Sequence, residues 1–288
     1  MSLPLLRCAA VVACRNEANL LKEHLPVWIS EGLEIVVIDH SSTDDTRSVA
    51  EAHLGAGVLA VKRMPWLGHF SLDQQLATKA EVIETLDHDW VIHIDADEWL
   101  HSTRKGETLQ EALSRLAAAG ANAVNFEEFV FLPIGPNQSA EHYYFFAPAQ
   151  LRLIRAWDRR CGFSNQGQGG HKLSSDNKTP LLVAEESLVL RHHIVRNQRQ
   201  ARHKYLQRAF NPQELKKGWH SNRLRLSARQ LTFPDVAELE QLTQPTQRQL
   251  NRRCAHKTHY WHWHDATKPV HAEVWCACMG ATQMPIYS

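Results

Sequence analysis

Three acids close an otherwise apolar run. Trp90 to Leu100 reads WVIHIDADEWL and places Asp95, Asp97 and Glu98 within four positions. Carboxylates gathered at the edge of a core repel one another and are costly to desolvate. Either they point into water or a cation sits between them. Asp-x-Asp at a strand end suits a hard divalent ion such as Mg2+ or Mn2+, which takes oxygen ligands. Such an ion would clamp a diphosphate and stabilise its charge as it leaves. Two more polar clusters end apolar runs: ACRNE (Ala13 to Glu17) and DHSSTDDT (Asp39 to Thr46). A carboxylate placed like Asp39 can accept hydrogen bonds from a base or ribose.

These clusters need elements to carry them. CAAVVA (8–13), EIVVIDH (34–40), VLAVKR (58–63) and DWVIHID (89–95) read as strands. Helical patterns alternate with them: 17–32, a segment starting at Ser42 or Thr43, and 71–86. The alternation predicts an α/β fold with a mostly parallel, Rossmann-type sheet flanked by helices. Ligands of such sheets bind beyond the carboxyl ends of the strands, where all three clusters fall. His93 interrupts an apolar strand and is expected to be a satisfied buried imidazole. A helix over about 107–119, strands at 123–133, 151–157 and 188–195, and a Gly-rich loop FSNQGQGGHK follow. Beyond them, helices are expected at 197–210, at 213–218 and as a pair around 235–257. A boundary near 196 would separate a catalytic domain, 1–196, from a basic, aromatic-rich helical extension, 197–288.

Composition narrows the class. The 288 residues carry a net charge of +1, but residues 1–150 hold 10 basic against 21 acidic residues, and 191–265 hold 15 against 5. Basic helices docking on an acidic domain account for this; an anionic lipid surface would be the functional alternative. No apolar run approaches the roughly 20 residues of a membrane-spanning helix. Six scattered cysteines and no secretory leader point to a reduced, cytoplasmic chain. No G-x-G-x-x-G follows the first strand and no Walker-type loop exists, so a diphosphate would need another anchor. Nucleic acid is not an expected partner. In the tail, HKTHYWHWH (256–264) with His271, Cys276 and Cys278 reads as a packed aromatic segment rather than a zinc site. Trp261 and Trp263 stacking on sugars or meeting a membrane is the alternative.

VVACRNEANLLKEHLPVWISEGLEIVVIDHSSTDDT, followed by DWVIHIDADEWL, resembles the family 2 glycosyltransferases. The similarity is clearest over 8–100; AVNFEEFVFLP, GGHK, LRHH and KKGWHSNR resemble one bacterial branch. The resemblance implies a GT-A fold and an inverting enzyme using a nucleotide-diphosphate sugar. It implies a nucleotide pocket with Arg15, Glu17 and Asp39, and with Ala13 and Ser41 beside them at the same strand ends. Asp95 would contact ribose or metal, Asp97 would bind Mn2+ or Mg2+, and Glu98 would support them. A late histidine completes many such metal sites. His192 matches it, and His193 replaces the branch's tyrosine. Inverting transfer also needs a base for the acceptor hydroxyl. Glu128 is the expected carboxylate, with Glu127, Asp158, Glu185 and Glu186 as competitors. His171 and Lys172 are expected to face the acceptor, a glycan or glycolipid, with the diphosphate as the alternative, and a peripheral membrane contact through the basic half would fit a glycolipid. The rivals are an Asp-x-Asp phosphohydrolase and a non-catalytic module that binds an anion.

Overall fold

In a computed structural model, described for residues 4–134, 140–175, 179–220 and 223–263, the alternating pattern becomes one large sheet flanked by helices. The parallel half has the order β3 (Val58–Arg63), β2 (Leu33–Asp39), β1 (Cys8–Cys14), β4 (Trp90–Asp95). All seven residues of β1 are buried, as expected for a strand covered on both faces. Its register sets Cys14 beside Asp39 and Ala13 beside Asp95, so the predicted clusters end at one edge.

Between these strands run α1 (Ala18–Ser30), α2 (Thr46–Glu51) and α3 (Leu72–Glu84). In α1, Leu21, Leu25 and Trp28 recur at helical spacing and are fully buried against the sheet. The second helix starts later than the sequence suggested. Ser42 N–H bonds Asp39 Oδ1 and Thr43 N–H bonds Asn16 Oδ1, which holds those residues in a turn. Ser71 caps α3 by accepting the Gln74 N–H.

A short strand, β5 (Glu98–His101), and α4 (Leu109–Ala118) lead to the mixed half. A capping box of Thr108 and Glu111 starts α4. There β6 (Ala123–Leu132), β7 (His142–Phe146) and β8 (Ile154–Asp158) pair antiparallel, and β8 joins β4. A small hairpin of β9 (Phe163–Ser164) and β10 (Ser174–Ser175) carries the Gly-rich loop. Strand β11 (Leu188–His192) lies parallel to β6 and antiparallel to β5.

Beyond 196 the expectation is met in part. A helix, α5 (Gln198–Arg202), continues as a wider turn through Gln207, and α6 spans Pro212–Lys216. The helix pair expected around 235–257 does not form. Pro245 interrupts the run, removing an amide donor and disfavouring helix before it. Instead β12 (Glu240–Gln241) and β13 (Ala255–His256) pair with β7. Trp261 and Trp263 are buried with Tyr144, Tyr205 and Leu231, so they pack rather than meet sugars or lipid. His264, His271, Cys276 and Cys278 lie outside the described residues. Among those described, no helix is long and apolar enough to cross a membrane.

Candidate functional site

A cavity of about 870 Å3 opens at the carboxyl edge of the parallel strands. Its floor is the turn between β4 and β5. Three distant groups pin that turn through its carbonyls. His24 Nδ1 lies 2.8 Å from Ala96 O, Trp28 Nε1–H donates to Glu98 O at 3.0 Å, and the His193 amide donates to Asp97 O at 2.8 Å. With the backbone fixed, the acids cannot relax into solvent by moving the chain, so each must be matched by a cation.

Every one of them is. Asp95 Oδ1 lies 3.2 Å from Lys79 Nζ, and Oδ2 lies 3.2 Å from Arg155 Nη2. Glu98 accepts Arg155 through Oε1 at 2.5 Å and the Asp95 amide through Oε2 at 3.0 Å, which makes it the expected support. Asp97 Oδ2 lies 2.5 Å from Lys204 Nζ and 3.5 Å from His192 Nε2. Burial alone would raise the Asp97 pKa, but Lys204 and His192 outweigh it and hold the group well below the usual carboxylate range. Lys79, fully buried, also donates to Ile94 O at 2.8 Å and meets His93 Nε2 at 3.0 Å. His93 is thus both a satisfied buried imidazole and part of the cavity wall, with burial pushing its pKa down to about 3.

The Gly-rich loop has a positional task. Gly170, at φ 77°, accepts Arg155 Nη1–H through its carbonyl at 3.0 Å, and a Cβ there would stand 3.2 Å from His93 and Leu76. Only glycine allows the loop this close to the strand. Arg155 therefore reaches Asp95 and Glu98 at a fixed angle.

Of the residues singled out in the sequence, Ala13, Arg15, Glu17, Asp95, Asp97, Glu128, His171 and His192 line this one cavity. Three expected residues do not. Asp39 is buried and closes a turn by accepting the Ser42 amide. Ser41 donates its hydroxyl to Met64 O at 2.8 Å. Lys172 is exposed outside the cavity. Arg15 Nη1 donates to the His40 carbonyl at 2.8 Å and also reaches Ser41 O, in the turn that Asp39 closes. The Arg15 guanidinium lies 4.2 Å over the Trp66 ring, a cation–π contact at the cavity wall. Desolvation raises the Glu17 pKa to about 7, with Lys204 opposing it.

Glu128 and Glu127 face opposite ways, as alternation demands. Glu127 pairs with Arg252. Glu128 is buried, accepts His192 Nδ1–H at 2.6 Å and pairs with Arg152. Of the competing carboxylates, Asp158 pairs with Arg160 and Glu186 with Arg115.

The Mn2+ or Mg2+ expected here meets a set that does not fit it. His192 has a carboxylate behind its Nδ1, as metal-bound imidazoles do. However, the Asp97 oxygen nearest it already carries an ammonium, and both Asp95 oxygens carry cations. No group of three or more potential ligands is assembled among the described residues. The sequence reading missed Lys79, Arg152, Arg155, Lys204, Arg208 and Trp66. The signal for two of them was the basic RHKYLQR stretch, which was ascribed to docking or a lipid surface.

No family model matches the chain. A Rhizobium meliloti protein named as a lipopolysaccharide core biosynthesis glycosyltransferase, LpsC, is 29% identical over 125 residues, 43% of this chain and 42% of LpsC. A Rickettsia felis protein named as an uncharacterized glycosyltransferase is 32% identical over 101 residues, 35% of this chain and 32% of that one. The chain thus spans about a third to two fifths of these relatives' length. Among solved structures, S. aureus TarS 1-349 overlaps 65% of this chain and 60% of its own at 14% identity and a TM-score of 0.43. The same TarS fragment in complex with UDP overlaps 68% and 64% at 12% identity and a TM-score of 0.42. The curated proteins this α/β chain resembles are glycosyltransferases by name.

Proposed function

We propose that the chain transfers a sugar from a nucleotide-diphosphate sugar to a hydroxyl of a glycan or glycolipid, with inversion at the anomeric carbon. The observation that carries this reading is the cavity at the strand ends, with basic side chains around its acidic floor and Glu128 in its wall. The nucleotide would lie toward Ala13, Arg15, Glu17 and Trp66, and the diphosphate toward the cations near Asp97. Glu128 would take the acceptor proton as the acceptor oxygen bonds the anomeric carbon. The bond to the diphosphate breaks, and its electron pair leaves on phosphate oxygen. His192 would hold Glu128 through Nδ1, and His171 would line the acceptor side. No step is assigned to Mn2+ or Mg2+, because cationic side chains already neutralise the expected ligands.

LpsC is named for lipopolysaccharide core biosynthesis, and an acceptor of that glycolipid class is the one to try first. The exposed Arg199, Arg202, Arg225 and Arg229 are the part of the basic segment that would meet an anionic membrane carrying it. The test is a panel of nucleotide sugars, each assayed for transfer to a glycolipid extract. Product whose anomeric configuration is opposite to the donor's supports the reading. Phosphate release without sugar transfer would favour the phosphohydrolase, and binding of nucleotide with neither reaction would favour the binding module.

A further inference from the structure

We infer that Lys204, with Arg208 one helical turn on, holds the donor's diphosphate at Asp97 and takes the place the sequence assigns to a divalent cation. The inference rests on the proposed sugar-nucleotide reading and concerns how that site is charged.

Three observations carry it. First, the Lys204 ammonium lies 2.5 Å from Asp97 Oδ2 and 2.9 Å from Ile194 O. An ammonium has three donors, so two are used and one is left for a phosphate oxygen. A divalent ion binds a carboxylate oxygen at roughly 2.0–2.2 Å, and at that oxygen it would be repelled by the ammonium that already offsets the charge. Second, the other acid of the pair is not available as a substitute. Both oxygens of Asp95 are bonded to cations that are themselves buried, Lys79 and Arg155. Displacing either would strand a buried charge away from water, which is strongly unfavourable.

Third, Arg208 lines the same cavity and, among the described residues, makes no hydrogen bond or ion pair. Its guanidinium lies 5.1 Å over the Phe70 ring. Glu17 and Asp97 act on this guanidinium only at longer range, without a direct pair, so its planar fork is left to meet phosphate oxygens. Lys204 and Arg208 thus offer two fixed positive charges where the leaving diphosphate gains negative charge. They supply the electrostatic stabilisation otherwise given by a metal.

The test is calorimetric binding of UDP, GDP, ADP, CDP and dTDP to the full chain, in EDTA and again in Mn2+. One of them is expected to bind in EDTA within about threefold of its Kd in Mn2+. In EDTA, Lys204→Met is expected to weaken it by about tenfold or more. Arg208→Gln leaves the Lys204–Asp97 pair intact and guards against a folding defect; it is expected to weaken binding by about threefold or more. Binding that requires Mn2+ in the unaltered protein would overturn the inference and leave the transferase reading standing. Unchanged affinity in both variants would overturn it too. Failure of all five nucleotides in both conditions would sink the inference and the reading together.

Discussion

Lys204 and Asp97, 107 positions apart in the chain, meet at 2.5 Å, so one acid of the cavity floor is matched by a cation from beyond residue 196. Asp97→Asn breaks this pair and leaves the ammonium without its counter-charge. Both side chains are about 15% exposed, so the cost is below that of a fully buried pair, about 2 kcal/mol at pH 7. Because the folded Asp97 pKa is depressed, its contribution is present above the unfolded value of about 3.9 and is lost as pH falls below it. Urea unfolding at pH 7 and pH 3 checks this. An equal loss at both pH values would contradict it.

Glu17 behaves in the opposite sense. Its folded pKa is raised to about 7, so the folded state holds a proton that the unfolded chain has released, and stability from this group declines between about pH 4.5 and 7. Glu17→Gln is expected to raise Tm more at pH 8 than at pH 5. A Tm gain independent of pH would show that Glu17 is ionised throughout.

Glu128→Gln keeps the shape of the side chain and removes its capacity to take a proton. Transfer is expected to fall by about 100-fold or more while nucleotide affinity changes by less than about threefold. A variant that kept full transfer would move the base elsewhere in the cavity.

Gly170→Ala places a methyl group 3.2 Å from His93 and Leu76, at a φ of 77°. Thermal unfolding is expected to show a loss of about 1–2 kcal/mol. Because the Gly170 carbonyl orients Arg155, the loss is expected to be accompanied by weaker nucleotide binding. Unchanged stability would mean that the loop shifts freely.

Glu214, fully buried on α6, accepts Ser71 Oγ–H at 2.6 Å and the Leu72 and Asp73 amides at 3.1 and 2.9 Å. It caps α3 from a distant segment. Glu214→Ala leaves those donors unpaired and is expected to cost about 2–3 kcal/mol. Limited proteolysis is expected to open the chain near residues 199–220 first. Cleavage elsewhere at an unchanged rate would argue against this tie.

Local pattern made much of this architecture readable. Strands β1, β2 and β4 are apolar runs closed by polar clusters, and α1 shows its buried stripe in Leu21, Leu25 and Trp28. The opposite facing of Glu127 and Glu128 followed from alternation alone. What was not legible was long-range charge matching. Asp95 and Asp97 invited a metal because nothing near them in sequence is basic. Their partners, Lys79, Arg155 and Lys204, come from a helix, a strand and the basic extension, and their distances depend on the fold. The basic extension was misread for the same reason: net charge does not say which face its arginines and lysines take. Asp39 and Ser41 look like ligand contacts in sequence, but their local turn uses the hydrogen-bonding groups first.

That Lys204 comes so late in the chain bears on how the protein matures. During synthesis, the acids of β4 are made about a hundred residues before the cation that offsets Asp97. A chain stopped near residue 196 would leave Asp97 without its cation and would lack the two charges proposed to hold an anionic donor. Affinity for the proposed donor would therefore report that the segment carrying Lys204 has docked.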